Sequence, residues 1–179
     1  DNDLEKIEAV LRGQPAVLHT FLQEKNDLRY ANWFSGLGAT WLQLAAFVRP
    51  DAARTLVEMG AELDLHAACA LGDVDAIGAC LAADPAALHH QVDSYYPIQY
   101  ALRHLDAGDN ILALRYLLEQ GEDADRPLRK AAWYEWEDQA AARGLSEWRP
   151  IHLVAFRGNI EASVEAAAVL HAFGADLQA

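Results

Sequence analysis

Five residues suited to acid–base chemistry or metal binding fall within one short stretch of this chain: His89, His90, Asp93, Arg103 and His104. A histidine near a carboxylate can transfer protons at neutral pH or bind a metal ion. Adjacent side chains in a loop point apart, however, and no cysteine or glutamate stands at ligand spacing from them. We therefore expect no metal and no cofactor, and these residues form the catalytic set of an alternative hypothesis.

Sequence motifs of the common catalytic classes are missing. The chain has no glycine-rich phosphate-binding loop, no nucleophile elbow and no zinc-ligand spacing, and none of its serines stands in a recognisable nucleophile context. Cys69 and Cys80 fall within one predicted helix pair and are expected to be small buried hydrophobic residues. The sequence thus favours a protein without catalysis of its own, with an enzyme as the alternative.

Composition and charge narrow the class of partner. The chain has 179 residues, of which 53% are hydrophobic, and a net charge of -13. That charge argues against general nucleic-acid binding, which needs a basic surface, and it permits a basic protein partner. No apolar run approaches the length of a membrane span. We expect a cytoplasmic monomer, with export as the alternative because residue 1 is Asp.

The elements that carry these residues follow one recurring pattern. Each copy has an apolar helix that starts near Leu-His or Leu-Gln, a turn, a second apolar helix and a loop that ends in Gly-Ala-Asp or a similar sequence. The clearest copy runs from Arg149-Pro150-Ile151-His152 to Gly174-Ala175-Asp176, and a second runs from Thr40-Trp41-Leu42-Gln43 to Gly60-Ala61-Glu62. This pattern resembles the ankyrin repeat, which has a turn and two helices in about 33 residues.

The resemblance implies an all-α fold, a helix-turn-helix solenoid that forms a single domain over 1–179. A unit of this kind cannot bury its apolar face alone, so the units stack, and such arrays usually bind partners. His66 and His152 occupy the family position at which the ring bonds the backbone of a neighbouring turn. The predicted repeats cover approximately 4–28, 40–64, 64–86, 96–125 and 149–179.

The period of the repeat fails at two places. Trp41 and Asp64, at equivalent positions, are 23 residues apart, so we expect the projecting turn between these two repeats to be missing. Pro97 and Pro150 are 53 residues apart, which indicates an insertion of about 20 residues near 126–148. Helix-forming residues over 128–143 predict that the insertion forms an extra helix. Asp51 is predicted to cap the helix that follows it.

Aromatic residues cluster before the repeats and within the insertion. In similar arrays the turns and first helices lie along one concave face, where partly exposed aromatic side chains are typical anchors for a partner. The alternative is that several of them pack the insertion against the array. The predicted partner-binding residues are Trp33, Phe34, Tyr95, Tyr96, Trp133, Tyr134, Trp136 and Trp148.

Acidic residues crowd the same region of the chain. They suit a basic partner, or they form the solvated face of the inserted helix. We therefore expect an ankyrin-repeat protein–protein interaction module, in its most specific form an acidic inhibitor or immunity protein. The alternative is an enzyme or small-molecule binder with a pocket between the insertion and the array. The acidic residues are Glu119, Glu122, Asp123, Asp125, Glu135, Glu137, Asp138 and Glu147.

Overall fold

A computed structural model describes residues 9, 12–13, 39–92, 95–107, 109–128, 148–155 and 160–177 of the chain. The regular structure in these residues is helical, which confirms the all-α prediction. The predicted first repeat, over 4–28, lies almost wholly outside the described residues.

The described part contains eight α-helices and two 3-10 helices. The α-helices are α1 (Trp41–Val48), α2 (Pro50–Glu58), α3 (Leu65–Leu71), α4 (Val74–Ala83), α5 (Pro97–Ala101), α6 (Asp109–Glu119), α7 (Pro150–Ala155) and α8 (Ile160–Ala172). The 3-10 helices are Pro85–His89, which follows α4, and Leu102–Ala107, which follows α5.

The helices are arranged as consecutive pairs in two rows. Each odd-numbered helix packs against the even-numbered helix that follows it. The first helices α1, α3, α5 and α7 contact one another in that order, and the second helices α4, α6 and α8 form another row. Buried leucine and alanine side chains fill the space between the helices, and fully buried alanines such as Ala67 and Ala113 let the helices approach closely.

Three of the first helices begin with the same side-chain cap. The residue three positions after the N-cap accepts a hydrogen bond from the N-cap backbone N–H, so one otherwise unpaired donor at the helix start is satisfied. The acceptor and donor pairs are Gln43 Oε1 and Thr40 N (2.8 Å), Gln99 Oε1 and Tyr96 N (2.8 Å), and His152 Nδ1 and Arg149 N (3.0 Å).

Three of the second helices end in the same backbone motif. Gly60, Gly121 and Gly174 have φ angles of 97°, 96° and 98°, a left-handed conformation that glycine adopts without steric cost. The N–H after each glycine donates to the carbonyl five residues earlier, at 2.9, 3.1 and 3.0 Å. This is a Schellman motif, which satisfies carbonyls that the helix end would leave unpaired. The recurring glycines of the sequence therefore mark helix ends of one geometry.

The start of α2 differs from the prediction for Asp51. The N-cap residue is Arg49 and the helix begins at Pro50, so Asp51 lies in the first turn rather than at the cap. The Arg49 guanidinium donates two hydrogen bonds to the Asp51 carboxylate, at 3.0 and 2.7 Å. These hydrogen bonds lower the pKa of Asp51 to about 2. Proline takes the first helical position because it lacks the N–H that would be unpaired there.

Four residues, 61–64, separate the end of the α2 turn at Gly60 from α3. Asp64 caps α3 by accepting a hydrogen bond from the Ala67 N–H at 3.1 Å. This segment contains no bridge of the kind that closes the turn before α5. The chain thus passes from the α1–α2 pair to the α3–α4 pair without a bridged turn. The shortened period of the repeat predicted a missing turn at this place.

A substitution at Gly72 is expected to cost more stability than one at Gly60. Gly72 joins α3 to α4 with φ of 72°, and a Cβ atom there would lie 2.8 Å from Asp109 Cβ and 2.9 Å from the Asp109 carbonyl carbon. We expect Gly72→Ala to lower the free energy of unfolding by about 2–3 kcal/mol, measured by urea denaturation.

Gly60→Ala is the matched control, since Gly60 also has positive φ but a Cβ would meet no atom within 4 Å. Its expected loss is about 1 kcal/mol, from backbone conformation alone. Equal losses in the two variants would show that the close approach of α6 to Gly72 has no energetic weight.

Candidate functional site

The two ends of the predicted insertion meet in the structure. The Leu128 N–H donates to the Trp148 carbonyl at 2.7 Å, and the two residues form an antiparallel bridge. The residues that flank the segment 129–147 on its two sides therefore lie next to each other. Residues 129–147 themselves, with the helix predicted for them, lie outside the described residues.

A second bridge shows where on the array this insertion is placed. Val92 and Tyr95 pair through two backbone hydrogen bonds of 3.0 and 2.9 Å, which close a short turn. Tyr95 stands two residues before Pro97, the first residue of α5, and Trp148 stands two residues before Pro150, the first residue of α7. The bridged residues Leu128 and Trp148 thus enclose the segment 129–147 at the position where Val92 and Tyr95, in the preceding pair, enclose only two residues.

Arg126, just before the insertion, connects three neighbours. Its Nε forms an ion pair with Glu122 Oε1, its Nη2 donates to His89 Nδ1 at 2.9 Å, and its guanidinium lies 4.4 Å from the centre of the Tyr96 ring. The Glu122 side chain has no exposed surface. Burial raises the pKa of Glu122, and the hydrogen bond from Arg126 opposes that shift. This cluster holds the loop after α6 against the turn before α5.

Asp125 connects the same loop to the residues that follow the insertion. Its Oδ2 forms an ion pair with Arg149 Nη1, and its Oδ1 accepts a hydrogen bond from the Asp176 N–H at 3.3 Å. Arg149 also supplies the backbone N–H that His152 caps at the start of α7. The base of the insertion is therefore held by ion pairs on both sides, and its position on the array is fixed.

These ion pairs change the interpretation of the acidic region. Glu122 and Asp125 are each held by an arginine, so they contribute little net charge to the surface. Glu119 and Asp123 are exposed. The other four predicted acidic residues, Glu135, Glu137, Asp138 and Glu147, lie outside the described residues.

The residues of the alternative catalytic set have separate partners in the described part of the chain. Arg103 Nε donates to the Phe47 carbonyl at 3.1 Å, and His104 Nε2 lies 3.0 Å from the Ala46 carbonyl. Both side chains thereby satisfy carbonyls at the end of α1. His89 instead bonds Arg126, and the exposed His90 lies 3.9 Å from the Asp84 carboxylate. Asp93 lies outside the described residues.

The predicted partner-binding aromatic residues differ in exposure. Tyr95 has only 3% of its surface exposed and packs edge-on against Phe47 at 4.9 Å. Tyr96 and Trp148 are partly buried, and Trp148 packs edge-on against His152 at 5.9 Å. Tyr96 and Trp148 therefore keep some surface available to a partner. The remaining five, Trp33, Phe34, Trp133, Tyr134 and Trp136, lie outside the described residues.

The predicted structural role of His66 is confirmed. Its ring is buried, and Nε2 donates to the carbonyl of His90 in the neighbouring turn at 3.2 Å. Burial lowers the pKa of His66, so the ring is neutral at physiological pH. The Nδ1 atom of His152 caps its own helix by accepting the Arg149 N–H, and a bond from this ring to a neighbouring turn stays a prediction.

Both cysteines have the properties of structural residues. They are free thiols, Cys69 buried and Cys80 partly buried, where Sγ lies 3.7 Å from the Leu63 carbonyl. Burial raises the pKa of Cys69 and, to a smaller extent, that of Cys80. The reactive thiolate is therefore disfavoured at both positions.

An open cleft of about 240 Å³ lies between α4, the 3-10 helix after it and α6. It has no histidine or carboxylate in its lining, so it does not coincide with the alternative catalytic set. Its lining residues are Gly78, Leu81, Ala82, Pro85, Leu88, Tyr116 and Gln120. Among the residues that the structure describes, no group of histidine, cysteine and carboxylate side chains is placed to hold a metal ion.

Comparison of this all-α chain with family models, with curated proteins and with solved structures finds no match. None of the helices in the described ranges has both the length and the apolar character needed to cross a membrane.

The sequence analysis missed two arginines of this site, although their positions next to the ends of the insertion were a signal in the sequence. Arg126 precedes the bridge residue Leu128 by two positions, and Arg149 directly follows the bridge residue Trp148. Cations that flank both ends of an insertion, beside an acidic loop, are suited to fix its base. The prediction of the site from aromatic and acidic residues did not include them.

Proposed function

We propose that this chain is an ankyrin-type module that binds a protein partner. Four features of the described residues support the proposal: consecutive helix pairs, two rows of stacked helices, a shared cap at the helix starts and a shared glycine motif at the helix ends. Arrays of such pairs present extended surfaces suited to binding another protein.

The observation that carries the proposal is the position of the insertion. The Leu128–Trp148 bridge lies where the preceding pair has the two-residue turn closed by Val92 and Tyr95. Segment 129–147 carries Trp133, Tyr134 and Trp136, and it begins three residues after Arg126, whose guanidinium lies against the ring of the partly exposed Tyr96. Tryptophan and tyrosine at such a position can supply much of the binding energy of an interface.

The charge of the described surface favours a basic partner. Arg126 and Arg149 are held by carboxylates. Among the described residues, exposed carboxylates such as Glu58, Glu119 and Asp123 outnumber the exposed arginines, so the described surface is acidic on balance. The corresponding activity is that of an acidic inhibitor that covers a basic protein, with electrostatic attraction raising the association rate.

The test is capture of partners from native extract on the immobilised chain, with quantitation by mass spectrometry. We expect wild type to retain a basic protein, and the double variant Trp133→Ala/Trp136→Ala to lose it. Leu112→Ala is the control, since Leu112 is an exposed apolar residue of α6. Raised salt should weaken the capture, because screening reduces attraction between exposed charges.

The outcomes separate the parts of the proposal. Capture of the same protein at equal yield by the folded double variant would exclude the insertion as the binding surface. The proposed partner class would be contradicted if wild type and Leu112→Ala capture no protein in common. It would also be contradicted if the only captured protein is acidic.

A further inference from the structure

The cleft between α4 and α6 has the size of one side chain rather than that of a cofactor. Its volume of about 240 Å³ is below the range of roughly 300–1,000 Å³ that is usual for sites of drug-sized molecules. Leu81 and Ala82, near the end of α4, and Gln120, directly after α6, line it. The cleft therefore lies where two neighbouring helices of the second row end.

Gly78 makes room for an aromatic ring in one wall of the cleft. A glycine inside a helix is less favourable than an alanine, so its presence in the middle of α4 needs a reason. A Cβ atom at position 78 would lie 3.0 Å from Tyr116 Oη, so the glycine lets the phenol of α6 lie against α4. The Tyr116 side chain is partly buried and lines the cleft. The face of such a ring attracts a cation.

The last turn of α4 supplies carbonyl groups that have no helical donor. In an α-helix each carbonyl points towards the N–H group four residues later. For Leu81 that residue is Pro85, which has no N–H. For Ala82 it is Ala86, whose N–H donates to Asp84 Oδ1 at 3.0 Å instead. Because Pro85 also lines the cleft, these two carbonyls point towards one of its walls, and the helix end carries partial negative charge there.

Arginine side chains bind the carbonyls at the ends of two other helices. Arg54 Nη2 donates to the Leu71 carbonyl at the end of α3, at 3.2 Å. Arg103 Nε donates to the Phe47 carbonyl near the end of α1, and its guanidinium lies 4.9 Å from the centre of the Phe47 ring. Among the residues that the structure describes, no side chain donates in this way to the two carbonyls of α4. The cleft thus offers the same pair of groups that Arg103 uses, a helix-end carbonyl and an aromatic ring.

The charge around the cleft favours a cation over a neutral or acidic side chain. The lining has no charged side chain of its own. The exposed carboxylates of Asp84 and Glu119 stand next to lining residues, against one exposed arginine, Arg115. The chain as a whole has a net charge of -13. Of the two common cations, arginine fits better, because its planar guanidinium is weakly hydrated and stacks on aromatic rings.

We propose that this cleft binds an arginine side chain of the partner protein. The apolar stem of that arginine packs against Leu81 and Leu88, its guanidinium lies against the Tyr116 ring, and its N–H groups donate to the last carbonyls of α4. The inference rests on the proposed function, since it names a residue type that the basic partner supplies. The cleft adjoins the base of the insertion, because Leu88 directly precedes His89, which Arg126 binds.

Titration of the full chain with blocked tripeptides, followed by ¹H–¹⁵N NMR, tests the cleft without the partner. The probe has a central arginine, and its matched control has citrulline there, which keeps the shape but not the charge. We expect the arginine peptide to bind with a dissociation constant on the order of a millimolar and to shift the amide signals of Gly78, Ala82 and Gln120. The citrulline peptide should bind about fivefold more weakly or worse.

Variants of the chain identify the groups that bind the guanidinium. Tyr116→Leu removes the ring and should weaken binding of the arginine peptide about fivefold, whereas Tyr116→Phe keeps the ring and should stay within about twofold of wild type. Gly78→Ala raises the helix propensity of α4, so it should fold, but its methyl group displaces the Tyr116 phenol and should also weaken binding. Equal binding of the two peptides, or equal behaviour of the two Tyr116 variants, would overturn the proposal.

The peptide titration and the capture from extract can fail separately. If the chain binds the arginine peptide but captures no basic protein, the cleft remains an arginine site and the proposed function is contradicted. If wild type and Tyr116→Leu capture a basic protein equally and neither binds the peptide, the proposed function is supported and the assignment of the cleft is wrong.

Discussion

Arg126→Met is expected to lower the free energy of unfolding by about 3 kcal/mol near neutral pH. The substitution removes the ion pair to Glu122, whose side chain is fully buried and whose Oε2 has no hydrogen-bond partner in the described part of the chain. It also removes the hydrogen bond to His89 and the contact with the Tyr96 ring. Methionine keeps the apolar stem of the side chain, so the loss reports mainly the uncompensated carboxylate. Urea denaturation measures it.

The stability that Arg126→Met loses relative to wild type should become smaller as pH falls from neutrality. Burial raises the pKa of Glu122 above its ordinary value, and removal of Arg126 raises it further. The folded state then binds more protons than the unfolded state, so the stability of the variant rises as pH falls from neutrality. The difference from wild type should shrink over this range, and a difference that is independent of pH would contradict the assignment.

A double variant separates the buried charge from the lost contacts. Glu122→Gln/Arg126→Met has no charge to bury, so it should recover a large part of the stability that Arg126→Met loses. If the double variant is no more stable than Arg126→Met, the unpaired carboxylate is not the cause of the loss.

Asn110→Ala is the second substitution with a large expected effect, again about 3 kcal/mol. Asn110 has no exposed surface, and its Nδ2 lies 3.1 Å from the Cys69 and Ala70 carbonyls and 3.2 Å from the Ala101 carbonyl. These carbonyls belong to the ends of α3 and α5, where the helix has no further backbone N–H groups to donate to them. One amide therefore ties three helices together, and its loss leaves both a small cavity and buried acceptors without a donor.

Chemical denaturation measures this effect, with Leu112→Ala as the control. Leu112 lies two residues later on the same helix and is 56% exposed, so its truncation should change stability by less than about 0.5 kcal/mol. A similar, small loss in both variants would show that the Asn110 amide does not join the helices.

The parts of the fold that were predictable from the sequence are local. The recurring Gly60, Gly121 and Gly174 ended helices because positive φ is a property of the glycine backbone itself. The proline at Pro97 and Pro150 began helices for an equally local reason. Changes in the spacing of such signals indicated where a turn is short and where residues are added.

The partners of individual side chains were not predictable in this way. Arg126 and His89 are 37 residues apart, and Arg103 and Phe47 are 56 apart. Their nearness in the sequence placed His89, Arg103 and His104 in one candidate set. The direction of each side chain depends on the helix that carries it, so the three have different partners. Asn110 gave no signal, because a lone asparagine near a helix start is usually an exposed cap rather than a buried connector.

The closed base of the insertion has a consequence for how this chain can vary. Because Leu128 and Trp148 meet, the rest of the array depends little on how many residues lie between them. The entropy lost on closing a flexible loop grows only with the logarithm of its length, by about 0.6 kcal/mol for each doubling. Residues can thus be added, removed or exchanged between Leu128 and Trp148 at small thermodynamic cost, so the side chains of this segment can change while the helices on either side stay the same.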